Sequence, residues 1–273
     1  MSESATRRAY PTHGTPTLGP IHGFAAMFMR QLRAWYRDPV FLLLGLIQPV
    51  VWIGLYGKSF PSSVAIPGVS GGYFSFLAVG MVSFVVLFSS VFGGMAVVFD
   101  KQLGHLKRIL VTSVSRGSIV MSYTLANVVK SLAQAVVLLA VAVVLGLTLT
   151  GFTPLGLAAT FTAEALLALG LSALFTVAGL LSKSSSVLLA VMNFVALPLM
   201  FASNSLFPVD AMPGWIQGVS KLNPMTYAND AARQALLGSP GIVSVPVDLA
   251  ILAAFGFGLS LLSIFVSRRQ ITA

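Results

Sequence analysis

DKQLGHLKRILVTSVSR, residues 100–116, separates two long apolar stretches of the chain. Its apolar side chains recur at helical spacing, at Leu103, Leu106, Leu110 and Val114. Its basic side chains fall mainly on the other sides of such a helix, at Lys101, His105, Lys107 and Arg108. The pattern predicts a short basic amphipathic helix between two membrane spans. Such a helix either rests on the lipid surface or is pushed by a soluble partner, and the layout of the whole chain favours the second interpretation.

The composition is that of a membrane protein. Hydrophobic residues make up 56% of the 273 residues and charged ones 8%, and the mean hydropathy is +0.92. Soluble proteins carry about 25% charged residues, so this chain is expected to cross a membrane several times. The net charge of +9 is attributed to basic membrane-flanking loops, and no nucleic-acid partner is expected. Because cysteine is absent, disulfides, thiolate metal sites and a cysteine nucleophile are excluded.

The apolar pattern predicts an all-α integral membrane protein in three parts. Residues 1–20 are expected to be a disordered cytoplasmic tail. Residues 21–38 predict an amphipathic interfacial helix, with Arg30, Arg33 and Arg37 toward anionic head groups and Trp35 on the apolar face. Residues 39–273 form the membrane domain. Because a span needs roughly 20 apolar residues, six are predicted, at about 39–58, 73–99, 117–146, 154–181, 185–205 and 244–267.

Basic residues decide the predicted orientation. Twelve of the sixteen Lys and Arg lie in the N-terminal part, in residues 100–116, at Lys183 and in the C-terminal tail. The alternate connections hold three, which are Lys58, Lys221 and Arg233. Since basic loops stay on the cytoplasmic side, we expect a multi-pass plasma (inner) membrane protein with both termini in the cytoplasm.

The region of about residues 206–240 is too polar to span and too apolar for a free loop. Prolines interrupt it, and two short amphipathic helices are predicted, one around Trp215 and one from Met225 to Leu237. On the predicted topology both lie at the outer face, as re-entrant helices that enter the outer leaflet.

Polar residues inside predicted spans are Gln48, Lys130, Glu164 and Asn193. Pro49 is expected to kink the first span beside Gln48. Counted from the span ends, Lys130 and Glu164 approach the same depth. They form an ion pair, or Lys130 extends to the interface, or the two mark a polar point on a substrate path. Asn193 is expected to serve helix packing.

The sequence shows no nucleotide-binding motif. Gly57-Lys58-Ser59 matches the end of a phosphate-binding loop, but that loop requires a glycine five residues before Gly57, where Trp52 stands. The histidines, His13, His22 and His105, are scattered, so no metal site is expected. The chain is therefore predicted not to be an enzyme.

Two motifs resemble those of type-2 ABC exporter permeases, in the branch of daunorubicin-resistance-type drug efflux permeases. Residues 100–116 are similar to the family's segment after the second span, which ends in Thr-Pro-Val-Ser-Arg; here Ser113 replaces the proline. The stretch Leu222-Asn223-Pro224-Met225-Thr226-Tyr227 resembles the family's motif ahead of the last span. The N-terminal amphipathic helix and six spans complete the layout.

The resemblance implies a permease that pairs with a second permease copy or paralogue, with membrane lipid, and with separate ABC ATPase subunits. The ATPase binds ATP and Mg, and this chain binds no cofactor. Residues 100–115 would be the coupling helix, with contacts through Lys101, Leu103, Gly104, Leu106, Lys107, Arg108, Leu110 and Arg116. The N-terminal helix would be the connecting helix, through Arg30, Arg33, Trp35 and Arg37. The outer gate would include Asn223, Pro224 and Tyr227.

The expected function is ATP-driven export of an amphipathic drug, antibiotic or lipid, because the core is apolar and nearly uncharged. Export of a polysaccharide or glycolipid by the same family is the alternative. An ion-coupled secondary transporter is disfavoured, since it needs several intramembrane carboxylates and only Glu164 stands clear of the span ends.

The predicted topology has a direct test. A cysteine placed at Asp210 should react with a membrane-impermeant maleimide on intact cells, whereas one at Lys107 should react only in inside-out vesicles. The native chain has no cysteine, so it provides an unlabelled control. Labelling of both positions from the same side would contradict the six-span arrangement.

Overall fold

The computed structural model describes residues 20–37, 39–59, 72–105, 115–182 and 184–270. Within these ranges the chain is helical and contains no strand, which confirms the all-α prediction there. The α-helices are α1 (Pro20–Arg37), α2 (Pro39–Ser59), α3 (Gly72–Gln102), α4 (Arg116–Val144), α5 (Pro154–Leu181), α6 (Ser185–Phe201), α7 (Gly214–Leu222), α8 (Pro224–Leu237) and α9 (Val245–Gln270), with a short 3₁₀ turn at Val209–Ala211. The predicted tail comprises residues 1–20, and residues 1–19 lie outside the described residues.

Four described helices are long and apolar enough to cross a membrane, namely α3, α4, α5 and residues Val245–Ser267 of α9. The apolar helix α6 has 17 residues, about 26 Å at 1.5 Å per residue, and α2 has 21. The six-span count therefore remains a prediction.

Side-chain caps explain where several helices begin. Ser115, Thr153 and Ser184 each stand before a helix and accept a hydrogen bond from a backbone N–H of its first turn. These caps satisfy N–H groups that have no partner inside the helix. Because each cap follows a break in the apolar pattern, the starts of α4, α5 and α6 fall within one residue of the sequence prediction.

The fifth predicted span, 185–205, is shorter in the structure, because α6 ends at Phe201. Ser203 Oγ donates to the carbonyl of Met200 at 2.7 Å and accepts from the N–H of Ser205 at 3.2 Å. These side-chain bonds compete with the helical pattern and turn the chain.

Helices α3 and α5 form the centre of the bundle. Most of α3 from Tyr73 to Val91 is buried, as expected for a helix that is apolar on all sides. Glycines let the two helices approach closely: a Cβ on Gly179 would lie 2.5 Å from the carbonyl oxygen of Gly94. Around this pair pack α2, α4, α8 and α9, while α6 contacts mainly α3.

Candidate functional site

The carboxylate of Asp100, near the end of α3, joins three helices. Arg30 on α1 forms an ion pair with its Oδ2, and the hydroxyl of Tyr123 on α4 donates to the same oxygen. Gln31 Nε2 lies 3.3 Å from Oδ2, and His105 Nδ1 lies 3.3 Å from Oδ1. The Asp100 side chain is only 18% exposed, so these attractions are stronger than they would be in water. We call these five residues the Asp100 junction.

The neighbouring Lys101 contacts a different helix. Its Nζ donates to the carbonyl oxygens of Leu180 and Ser182, both at 2.9 Å. These carbonyls lie at the end of α5, where unpaired carbonyl groups and the helix dipole favour a cation. Lys101 is therefore held inside the chain, whereas the sequence placed it among the residues that meet a partner.

The rest of the predicted coupling helix is described only at its two ends. The side chain of Leu103 is 68% exposed, and Gly104 ends the helical segment with a φ of +72°. Arg116 is half-buried at the start of α4. The other predicted contact residues, Leu106, Lys107, Arg108 and Leu110, lie outside the described residues, so the coupling role stays a prediction.

The predicted connecting helix, α1, packs against α4 through a stripe that includes Met27 and Gln31, both buried. Its Arg33 and Arg37 are exposed, in agreement with their predicted position on the polar face. Trp35 is half-buried and lines a cavity between α1, α3 and α4. The sequence pattern did not identify the buried stripe, because one of its residues, Gln31, is polar.

Lys130 and Glu164 do not form an ion pair. Glu164 is fully buried, and its Oε1 accepts from Ser83 Oγ at 2.7 Å. Lys130 instead lines a cavity together with Gly93. Ser83 and Gly93 are ten residues apart on α3, about 15 Å along the axis. A count of residues from the span ends ignores the tilt of the helices. The predicted similar depth of Lys130 and Glu164 was therefore wrong.

The other polar residues predicted within spans lie on outer faces of the described bundle. Gln48 is exposed on α2, which continues through Pro49. Asn193 is exposed on α6, and its amide donates to the carbonyl of Leu189 in the same helix at 3.0 Å. Within a single chain, Asn193 therefore does not serve the helix packing expected of it.

A hydrogen-bonded strip of small polar residues joins α3, α4 and α5. Ser90 Oγ and Ser172 Oγ are 3.1 Å apart, and Asn127 Nδ2 donates to Ser172 Oγ at 2.8 Å. Such interhelical bonds contribute to helix association where water is excluded. The sequence analysis did not identify this strip, since isolated serines in apolar helices give no periodic signal.

Arg233 lies at the other end of α3 and is the centre of a second group of contacts. Its Nη2 donates to the carbonyl oxygens of Phe76, at 3.0 Å, and Ser205, at 3.3 Å. Its guanidinium carbon lies 3.5 Å from the centre of the Phe76 ring, a cation–π contact. The residue is only 3% exposed, so α8 is fastened to α3 by a charge buried against carbonyl dipoles and a ring. We call Arg233, Phe76 and Ser205 the Arg233 cluster.

Asp230 and Gln234, on the same helix, hold the segment that leads into α9. Asp230 Oδ2 accepts from the backbone N–H of Ile242 at 2.7 Å, and Gln234 Nε2 donates to Asp248 Oδ2 at 3.1 Å. Desolvation raises the pKa of the Asp230 carboxyl above its ordinary value, although the N–H groups of Ile242 and Val243 act in the opposite direction.

The predicted outer-gate residues lie at the junction of α7 and α8. Asn223 caps α8 by accepting from the N–H of Met225 at 3.0 Å, and its amide donates to the carbonyl of Leu199 on α6 at 2.6 Å. Pro224 occupies the first helical position, where its missing N–H does not matter. The hydroxyl of Tyr227 donates to the carbonyl of Lys221 at 2.5 Å. These contacts connect α6, α7 and α8, and the gating role itself stays a prediction.

Several residues that organise the two ends were absent from the predicted site, chiefly Asp100, Tyr123, Asp230 and Arg233. Asp100 had a usable signal, since it is an acid at the end of a span and directly before a basic segment. Asp230, Arg233 and Gln234 had another, because they share one face of an alanine-rich helix at spacings of three and four.

Comparisons with known proteins agree with this architecture. A sequence profile of the ABC-2 type transporter family matches residues 22–237. A putative transport permease ycf38 from Cyanophora paradoxa is 31% identical over 199 residues, which cover 72% of this chain and 68% of that protein. The protein of the same description from Pyropia yezoensis is 30% identical over 232 residues, 78% of this chain and 73% of the relative. Nodulation protein J of Rhizobium meliloti (strain 1021) is 27% identical over 271 residues, with 92% and 96% covered.

The Asp100 junction predicts that Arg30 and Asp100 are energetically coupled. In a double-mutant cycle of Arg30→Ala and Asp100→Ala, we expect a coupling free energy of about 1 to 3 kcal/mol, because either change removes a charge-assisted contact between partly buried side chains. The measurement is the free energy of unfolding of the purified chain in detergent micelles. Arg33→Ala on the same helix is the control, with a change within about 0.5 kcal/mol. Additive single effects would contradict the ion pair.

The Arg233 cluster predicts opposite effects of the same change at two helical glycines. A Cβ on Gly80 would lie 2.3 Å from the carbonyl oxygen of Ser205 and 2.6 Å from Arg233 Nη2. Gly80→Ala should therefore destabilise the fold by about 1 to 3 kcal/mol, the usual cost of overpacking. Gly258→Ala meets nothing within 4 Å and should be neutral or stabilise the helix by up to about 1 kcal/mol. Equal thermal midpoints for the two variants would contradict the close approach.

Proposed function

Because the chain belongs to the ABC-2 type transporter family, we propose that it is the membrane subunit of an ATP-driven exporter. It moves an amphipathic drug, antibiotic or lipid out of the cytoplasm or inner leaflet. Separate ABC ATPase subunits bind ATP and Mg and hydrolyse the nucleotide. The chain crosses the plasma membrane with both termini in the cytoplasm.

The observation that carries the proposal is the Asp100 junction. It joins α1, the end of α3 and the first turns of α4 through one carboxylate, and Lys101 adds the end of α5. A force applied to residues 103–116 therefore reaches four helices together. Transmission from an ATPase to a membrane domain requires this kind of rigid connection between separate sites.

The exposed end of the α3 segment supports docking of a partner at this point. Leu103 is exposed immediately after α3, and the adjoining segment carries Leu106, Leu110, Lys107 and Arg108. Apolar side chains would fill a groove on the ATPase, while the basic ones orient the two surfaces. Closure of the ATPase dimer on ATP would then move α3 and α4 and switch the access of the transport path.

The opposite end of the bundle supports an outer gate. The α7 helix is largely exposed, with Trp215 and Leu222 mostly accessible, whereas α8 is buried against α3, α5 and α9. Asn223 connects the two. We assign α7 and the Asn223–Pro224–Tyr227 junction to the part that moves, and the Arg233 cluster to the part that stays fixed.

An amphipathic cargo is supported by the cavity between α6 and α7. It has a volume of about 370 Å³, and its lining includes Phe194, Val195, Leu199 and Val219, with Asn223 as the polar member. A surface of this kind suits the apolar portion of a ligand. A carbohydrate chain alone requires more hydrogen-bonding groups along its path.

A second permease copy is supported by the uncovered apolar side of α6. Within the described chain α6 packs mainly on α3, and it leaves Val187, Val191, Phe194 and Phe201 exposed. An apolar helix face of this extent at the edge of the bundle suits contact with lipid or with the same face of a second copy.

The coupling proposal predicts that replacing Leu106, Lys107 and Arg108 by glutamate uncouples the permease from the ATPase. The triple change to Glu should abolish cargo-stimulated ATP hydrolysis and transport in proteoliposomes, because the docking surface loses its anchor and its charge. Membrane insertion should be unaffected, since these residues lie between spans.

The matched control is Lys58→Glu, a charge reversal at the exposed end of α2. It should leave transport and ATP hydrolysis unchanged. Normal transport by the triple variant, or transport by the purified chain without any ATPase, would refute the proposal.

A further inference from the structure

Lys130 on α4 lines a partly open cavity between α1, α3 and α4. Its volume is about 210 Å³, and its lining includes Gln31, Trp35, Phe92, Asn127 and Lys130. The cavity therefore combines an ammonium group and amide groups with two aromatic rings. Gln31 also belongs to the Asp100 junction. Lys130 and Phe92 take no part in the contacts that support the proposed coupling or gating.

Within the described part of the chain Lys130 forms no ion pair, and Asp100 attracts it only without direct contact. The two ion pairs found there both belong to Asp100, whose oxygens are already occupied by Arg30, Tyr123 and His105. Glu164 lies about two to three turns away along α3 and contacts Ser83. An ammonium group inside a span without a carboxylate in contact with it is costly, so an anionic occupant would be favoured.

The size of the cavity restricts that occupant. Pockets that enclose a drug-sized molecule measure about 300 to 1,000 Å³, and this one is smaller. It has room for a charged head group, while the remainder of an amphiphile must lie outside. Phe92 is 45% exposed on the lining of the cavity, so it offers an apolar surface to chains that leave it.

The surroundings of the cavity are basic. A groove on α1, lined by Arg30, Arg33 and Arg37, shares Ala34 with the Lys130 cavity. Basic residues at a membrane surface attract anionic lipids by about 1 kcal/mol each. This groove would concentrate such lipids beside the mouth of the cavity.

We propose that the Lys130 cavity binds the phosphate head group of an anionic phospholipid, with Lys130 as its counter-ion and the acyl chains against Phe92. The bound lipid would hold α1 against α3 and α4 next to the Asp100 junction. The site goes beyond the proposed function, because lipid binding here requires neither an ATPase nor a cargo.

The test is binding of short-chain phospholipids to the purified full-length chain in zwitterionic detergent. Dihexanoyl-phosphatidylglycerol and dihexanoyl-phosphatidylcholine are titrated by calorimetry, with tryptophan fluorescence, to which Trp35 in the cavity lining contributes, as a second signal. The phosphatidylglycerol should bind at least about tenfold more tightly, because its head group has a net negative charge, whereas the choline cation of phosphatidylcholine offsets the charge of its phosphate. Lys130→Gln should remove this preference, and Lys130→Arg should retain it.

Two further variants distinguish the effect of the Lys130 charge from the effect of the cavity volume. Ala96→Leu fills the cavity without changing its charge and should weaken phosphatidylglycerol binding about as much as Lys130→Gln. Lys58→Gln removes an exposed lysine elsewhere and should bind like the native chain. An unchanged preference in Lys130→Gln, or equal binding of the two lipids by the native chain, would overturn the proposal. Displacement of the lipid by an equal concentration of inorganic phosphate would show that the site recognises free phosphate instead.

Discussion

The Asp100 carboxylate is the interaction on which the proposed mechanism depends. It lies where α3 leaves the apolar bundle, and Arg30, Tyr123, Gln31 and His105 all reach it. Only 8% of the residues in this protein are charged. Asp100 is an acid on α3 that contacts both α1 and α4. It joins α1 to the end of α3 and to α4, and the proposed mechanism requires these helices to move together.

Inside the bundle, the helices associate through small residues and short polar contacts. Examples are the hydrogen-bonded strip of Ser90, Ser172 and Asn127 and the close approach of α3 and α5 at Gly94 and Gly179. Lipid is as apolar as leucine, so helix association in a membrane relies on close packing and hydrogen bonds. Among the described residues this packing leaves Lys130 without an ion pair, and Lys130 lines the cavity between α1, α3 and α4.

The two ends of the bundle handle buried charge differently. At one end Asp100 meets an arginine in a conventional ion pair, whereas at the other Arg233 meets carbonyl oxygens and the ring of Phe76. The carbonyl oxygens of Phe76 and Ser205 accept hydrogen bonds from the guanidinium, and the buried Asp230 carboxylate attracts it without an ion pair. We infer that the Arg233 end is the fixed support against which the α7 segment moves.

The sequence by itself determined the helical class, the family resemblance and the approximate helix boundaries, because apolar periodicity, prolines and serine caps act over a few residues. It located the basic segment after α3 and the Asn223–Pro224 junction for the same reason. Only the tertiary structure decided that Lys101 caps α5, that Lys130 and Glu164 lie apart, and that Asp100 joins three helices. Those outcomes depend on helix tilt and rotation, which are set by contacts between residues distant in the chain and leave no local pattern.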